Sequence, residues 1–196
     1  MADYHVPVTT RSETAAATRQ ALLRAAEDLL DRGGVEAVTL RAVGSGAGVS
    51  HSAAYRHFPD KDAMLAAISI AAWEDLTQRI HDIAAHSVLS PAAALREAIG
   101  VLVTIARSRP NLYRLMLTRA PFGPAASEVG ARSQDVFHTL VARVVPVDQA
   151  RPFSGLLLAA AHGVADLELG GYLDAGKYEA DGDQLIDLLI RILPTR

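Results

Sequence analysis

The chain has 196 residues with a formal net charge of −3; half of them are hydrophobic and none is cysteine. That length allows one medium domain, or a small domain joined to a larger one, with enough apolar surface for a sizeable core. The missing cysteines exclude disulfides, thiol catalysis and thiolate metal sites. The acidic balance argues against a non-specific coat on nucleic acid.

Alanine and leucine dominate and runs of β-branched residues are scarce, which predicts an all-α protein. Residues 1–13 read as a flexible arm without the apolar run of a signal peptide. Thr14–Arg32 is predicted as a first helix, because Ala21, Leu22, Ala25, Leu29 and Leu30 fall on one face. Gly33-Gly34 should end it. Val35–Val38 then reads as a short loop into Thr39, a good N-cap for a helix from Leu40. Gly48 stands where that helix must stop, and Ser50 can cap another from His51. Helix, glycine turn and second short helix have the shape of a helix-turn-helix DNA reader, over residues 14–60 with the first helix included. Gly44 and Gly46 each cost about 1 kcal/mol relative to alanine in a helix. With the small Ala54, they predict a loosely packed head.

Pro59 breaks the second short helix and Asp60 can cap the next, expected from Lys61 to His86 with Leu65, Ile68, Ala72, Leu76, Ile80 and Ile83 inward. Residues 61–196 form the body. Ser90-Pro91 opens another helix, with Leu95, Ile99, Leu102 and Ala106 inward. Asn111–Thr118 is short and carries Leu112, Leu115 and Met116. Pro121–Pro124 reads as loop, Ser127–Val145 as helix and Pro146–Pro152 as linker. A very apolar helix follows from Phe153 to about Leu169, and the last spans Asp181–Leu193. Three helices in the head and about six in the body result. The most apolar stretch, Leu156–Ala161, falls far short of the roughly 20 residues that span a bilayer. A soluble, cytoplasmic protein is expected, with no membrane partner.

At the N-terminal end of the helix from His51, the side chains nearest to base edges would be His51, Ser52 and Ala53. Phe58 is most simply core. Residues 1–61 carry seven basic and seven acidic side chains, so affinity cannot come from net charge alone. One short helix also offers few base contacts, whereas two in a dimer could read half-sites about one DNA turn apart.

In the body, His162 and Asp166 are four residues apart on one helical face. Two ligands without a third make a poor metal site. No serine, cysteine or lysine is placed to act as a nucleophile with them. A mutually satisfied polar pair, contacts to a bound ligand and an active site are the three readings. Trp73, Leu76, Leu102, Tyr113, Met116 and Phe137 lie on several body helices and could line a pocket or simply be core. Few charges converge there, so a ligand would be small and largely apolar.

Thr39-Leu40-Arg41, Ala47-Gly48-Val49-Ser50, Tyr55, His57-Phe58, Lys61 and Leu65, in register after a helix ending at Gly33-Gly34, closely resemble the N-terminal domain of TetR-family transcriptional regulators. Arg109–Met116 and Ala161–Glu168 look like the subgroup whose body carries a tryptophan-histidine-glycine signature, with Ala161 here just before His162-Gly163. The resemblance implies phosphate contacts by Thr39, Ser50, Tyr55, His57 and Lys61, with Arg41 a further candidate. It also implies a homodimer through residues 127–145 and 153–172 and a palindromic double-stranded operator. A repressor released by a small-molecule effector, with no cofactor and no metal, completes the expectation. A DNA-binding dimer without a small-molecule ligand, and a helical enzyme using His162 and Asp166, are the alternatives.

Overall fold

A computed structural model describes residues 11–86, 88–117 and 123–194. Among them the regular structure is helical: α1 Arg11–Ala37, α2 Leu40–Gly46, α3 His51–His57, α4 Lys61–Ala85, α5 Pro91–Ser108, α6 Pro110–Leu117, α7 Gly123–Val141, α8 Ala150–Leu169, α9 Ala175–Tyr178 and α10 Gly182–Arg191. The chain divides into two compact units, one up to Ile68 and one from Ser69. No helix among the described residues is long and apolar enough to cross a membrane.

In the first unit α1 packs on α2, and α2 on α3. Leu22, Ala26, Leu30, Val38, Val43 and Ala54 are fully buried between them, and Phe58 is nearly so. Thr39 accepts from the Ala42 amide at 3.2 Å, as an N-cap should. At its other end α2 closes on Gly48, whose φ of +67° only glycine adopts cheaply. The amides of Val49 and Gly48 return to the carbonyls of Gly44 and Ser45, the paired bonds of a Schellman motif. Ser50 caps α3 through the Ala53 amide at 3.2 Å.

Several boundaries differ from the sequence reading. The first helix already starts at Arg11, so the last three residues of the expected arm are its first turn; residues 1–10 lie outside the described residues. Gly34, at φ 66°, breaks α1, but residues 35–37 then make another helical turn instead of a loop. α7 begins at Gly123, so Pro124 sits in a first turn, where a missing N–H costs nothing. Residues 121 and 122 of the expected loop lie outside the described residues. α8 starts at Ala150 and takes Pro152 into its first turn for the same reason.

α5 is the axis of the second unit and packs against α6, α7, α8 and α10. Ser90 caps it through the Ala93 amide, and Pro91 occupies its first turn. Leu95, Ile99, Leu102, Val103 and Ala106 are buried along it. Phe137, Leu140 and Val141 turn the apolar side of α7 into the same core. α8 buries Leu157, Ala161 and Ala165 yet leaves Leu156 and Leu167 exposed. α10, closed at its start by an Asp181–Gln184 capping box, likewise leaves Leu188 and Ile192 exposed. Among the described residues no buried polar side-chain atom lacks a hydrogen-bond partner.

Candidate functional site

The outward side of α3 and the turn before α2 carry the polar residues expected to meet DNA. Thr39, Arg41, Ser50, His51, Ser52 and Tyr55 are exposed, while His57 and Lys61 are half-buried. Thr39 and Ser50 spend an oxygen lone pair on their caps and keep their hydroxyls at the surface. Ser50 and Ser52 also bond to each other through their hydroxyls at 3.1 Å. Lys61 Nζ lies 3.7 Å from Glu36, an exposed pairing too weak to hold it against a phosphate.

Ala53 does not lie where the sequence reading put it. It is 8% exposed and faces inward with Ala54, because residues three and four beyond the Ser50 cap turn toward α2. Its methyl is therefore not presented to a thymine. Two ring contacts were missed. His51 and Tyr55 meet edge-to-face with centroids 4.7 Å apart, and Arg19 of α1 lies over the Phe58 ring at 5.0 Å. The i, i+4 spacing of His51 and Tyr55 was a readable signal for the first.

Gly44, one of the residues behind the expected loose packing of the head, is buried with room for a methyl group beside it. A Cβ built on Gly44 would meet the Val49 carbonyl at 3.5 Å and the Ala54 methyl at 3.6 Å, ordinary contact distances. Small residues at 44 and 54 match each other across the α2–α3 contact.

Of the body residues, Leu76, Leu102, Tyr113, Met116 and Phe137 are buried, Trp73 and His162 half-buried, and Asp166 exposed. Trp73 donates its indole N–H to the Met116 carbonyl at 3.2 Å, which ties α4 to α6. His162 does not satisfy itself with Asp166. Its Nδ1 instead lies 2.8 Å from the Tyr113 hydroxyl. Burial lowers the His162 pKa and Asp166 opposes that shift. Burial first, and then the Asp166 charge, push the Tyr113 phenol up to about 12. A neutral imidazole thus faces a phenol that keeps its proton, an arrangement suited to hydrogen bonding rather than proton transfer.

A serine–histidine contact, His138 Nδ1 to Ser154 Oγ at 3.1 Å, is no nucleophile pair either. Ser154 gives its proton to the Ala150 carbonyl at 2.7 Å, so His138 donates to it and cannot act as its base. No group of three or more His, Cys, Asp or Glu able to hold a metal occurs among the described residues. An open groove of about 410 Å³ runs beside α5, lined by Arg79, Ile83, Arg96, Val101, Arg107 and Asp183 among others. None of the expected ligand-contact residues lines it.

Residues 22–68 match bacterial regulatory proteins of the tetR family, and residues 95–193 match the tetracyclin repressor-like C-terminal domain. No curated protein matches the chain. Among solved structures it is similar to a protein of unknown function from Rhodococcus sp. RHA1, at 28% identity and TM-score 0.78 over 98% of each chain. A TetR-family transcriptional regulator from Streptomyces coelicolor shares the fold at 21% identity and TM-score 0.66, over 91% of this chain and 99% of that one. So does the transcriptional regulator FadR from Bacillus subtilis, solved in complex with stearoyl-CoA. It has 11% identity and TM-score 0.68, over 88% of this chain and 96% of that one. With a helix-turn-helix head matching one domain of the family and a helical body matching the other, the chain belongs to the TetR family and is a DNA-binding transcriptional regulator, not an enzyme.

Proposed function

We propose that the protein is a homodimeric repressor that binds a palindromic operator and leaves it when a small molecule occupies the body. The observation that carries the reading is α3, a capped seven-residue helix that turns small methyls inward and His51, Ser52, Tyr55 and Arg56 outward. Such a helix fits the major groove, which accepts one helix at a time. Residues 14–60 are the reading head and 61–196 the sensing and pairing body. Thr39, Arg41, Ser50, Tyr55, His57 and Lys61 contact backbone phosphates and fix the register without reading sequence.

Pairing of two copies is supported by the apolar side chains left at the surface. Leu156 and Leu167 are 54% and 45% exposed on α8, with the open positions Gly155 and Gly163 beside them. Leu188 and Ile192 extend the patch along α10, which packs on α8. This favours α8 with α10 over the expected 127–145 segment, whose large apolar side chains face the core.

For the effector, FadR of Bacillus subtilis offers the pattern of a small molecule held by this fold. Here Trp73, Leu76, Leu102, Met116 and Phe137 supply apolar contact, and Tyr113, His162 and Asp166 supply the polar end. Such a ligand releases DNA only by its difference in affinity between two conformations, and a tenfold release needs about 1.4 kcal/mol.

A gel shift at stated salt, with DNA from upstream of the protein's own gene, tests the reading. A sequence-specific shift by a dimer is expected. A folded protein that shifts no sequence in preference to bulk DNA overturns it.

A further inference from the structure

The three side chains at the start of α3 are not equivalent as base readers. Ala53 is buried. The Ser52 hydroxyl is turned back to Ser50, 3.1 Å away, which itself holds the cap. His51 projects from the surface with its ring against Tyr55, one turn further on. The two rings meet at 74° with centroids 4.7 Å apart, while Tyr55 stays 46% exposed. At 3.6 residues per turn Tyr55 lies about 40° round the helix from His51, whereas Arg56 lies about 140° away. The ring contact restricts the rotamers of an otherwise free surface histidine.

We infer that His51 is the specificity-determining residue of this DNA reader and that Tyr55 is its positioning residue. The inference rests on α3 being the recognition helix. Tyr55 then has two separable tasks: its ring orients the imidazole toward a base edge, and its hydroxyl is left for a phosphate. A histidine held this way reads one base pair in each half-site by hydrogen bonding in the major groove.

The test is selection of bound duplexes from a random pool by the full-length protein and its variants, with proton NMR of the histidine ring. Wild type should enrich a palindromic motif. His51→Ala should lose discrimination at one base pair per half-site by about tenfold or more and keep the rest of the motif. Tyr55→Phe keeps the ring and should select the wild-type motif with an evenly lowered affinity. Tyr55→Leu should relax the same base pair as His51→Ala, and adding it to His51→Ala should relax that pair no further. The His51 ring protons should be ring-current shifted in free wild type and Tyr55→Phe, and return to ordinary positions in Tyr55→Leu. Tyr55→Met serves as a second ring-less variant if the leucine variant is poorly folded.

An unchanged motif for His51→Ala overturns its role as reader. Unchanged discrimination in both ring-less variants, or equal relaxation by Tyr55→Phe, overturns the positioning role. Failure of wild type to enrich any motif overturns the proposed function as well, so the two failures are distinct.

Discussion

Arg107 of α5 grips Glu168 of α8 through two parallel hydrogen bonds of 2.7 Å, and its remaining amino group reaches Asp183 of α10 at 3.0 Å. The bond to Glu168 raises the arginine pKa, as the fork geometry of guanidinium and carboxylate allows. Further back on α5, Arg96 bonds Asp187 at 2.7 Å and lies 3.8 Å from Asp183. Two arginines of one helix therefore hold two aspartates, one turn apart, on another.

Both members of the first pair are partly open to water, the Arg107 side chain at 38% and Glu168 at 21%. Solvent screening limits the effect, so Arg107→Ala should cost only about 1 kcal/mol in urea unfolding. The loss should shrink in 1 M salt. Arg107→Lys should not restore it, because a point charge cannot bond both carboxylate oxygens in parallel.

Two glycines, Gly182 beside this clasp and Gly44 in the head, should respond in opposite directions. A Cβ on Gly182 would collide with the Glu168 carboxylate and come within 2.8 Å of the Val164 side chain. Gly182→Ala should destabilise by roughly 1–3 kcal/mol, as overpacking does. Gly44→Ala in the head meets only ordinary contacts and should stabilise by about 0.5–1 kcal/mol through helix propensity. Thermal unfolding of both variants beside wild type decides this.

Stability should also depend on His162. Its pKa is lowered in the folded protein, so the unfolded chain binds more protons over the range between the two values. Stability should be complete above an unfolded pKa of about 6.5 and fall as pH drops toward the lowered folded value. His162→Gln should flatten that part of a Tm–pH profile. Tyr113→Phe, which strips His162 of its 2.8 Å partner, should cost about 1–3 kcal/mol at neutral pH.

The pairing surface can be tested without disturbing the core, because Leu156 and Ile192 are 54% and 68% exposed. Leu156→Asp and Ile192→Asp should each keep the far-UV spectrum and melt as folded protein. Sedimentation should then find monomers, with operator binding weakened accordingly. An intact dimer in both variants would remove this patch from the interface.

Much of the fold was legible locally. Thr39, Ser50, Asp60 and Ser90 all serve as caps, because a cap depends on residues only two or three positions away. Prolines at helix starts were misread as breakers before α7 and α8, since local composition does not say whether a proline precedes a helix or opens it. The His162–Tyr113 bond joins residues 49 apart, and the Arg107 clasp spans 61 and 76 residues. Contacts of that range leave no periodic trace in a sequence. Ala53 was misplaced for a different reason: a seven-residue helix is too short for periodicity to fix its phase.

That short helix has one more property. α3 packs on α2 through Ala53 and Ala54, whose methyls ask little of the side chains on the other face, while the Ser50 cap closes its own first turn. The outer residues can be rewritten with no repacking beneath them. Retargeting to a new operator is then a matter of changing a few surface letters, while stability stays with α1, α2 and the turn at Gly48.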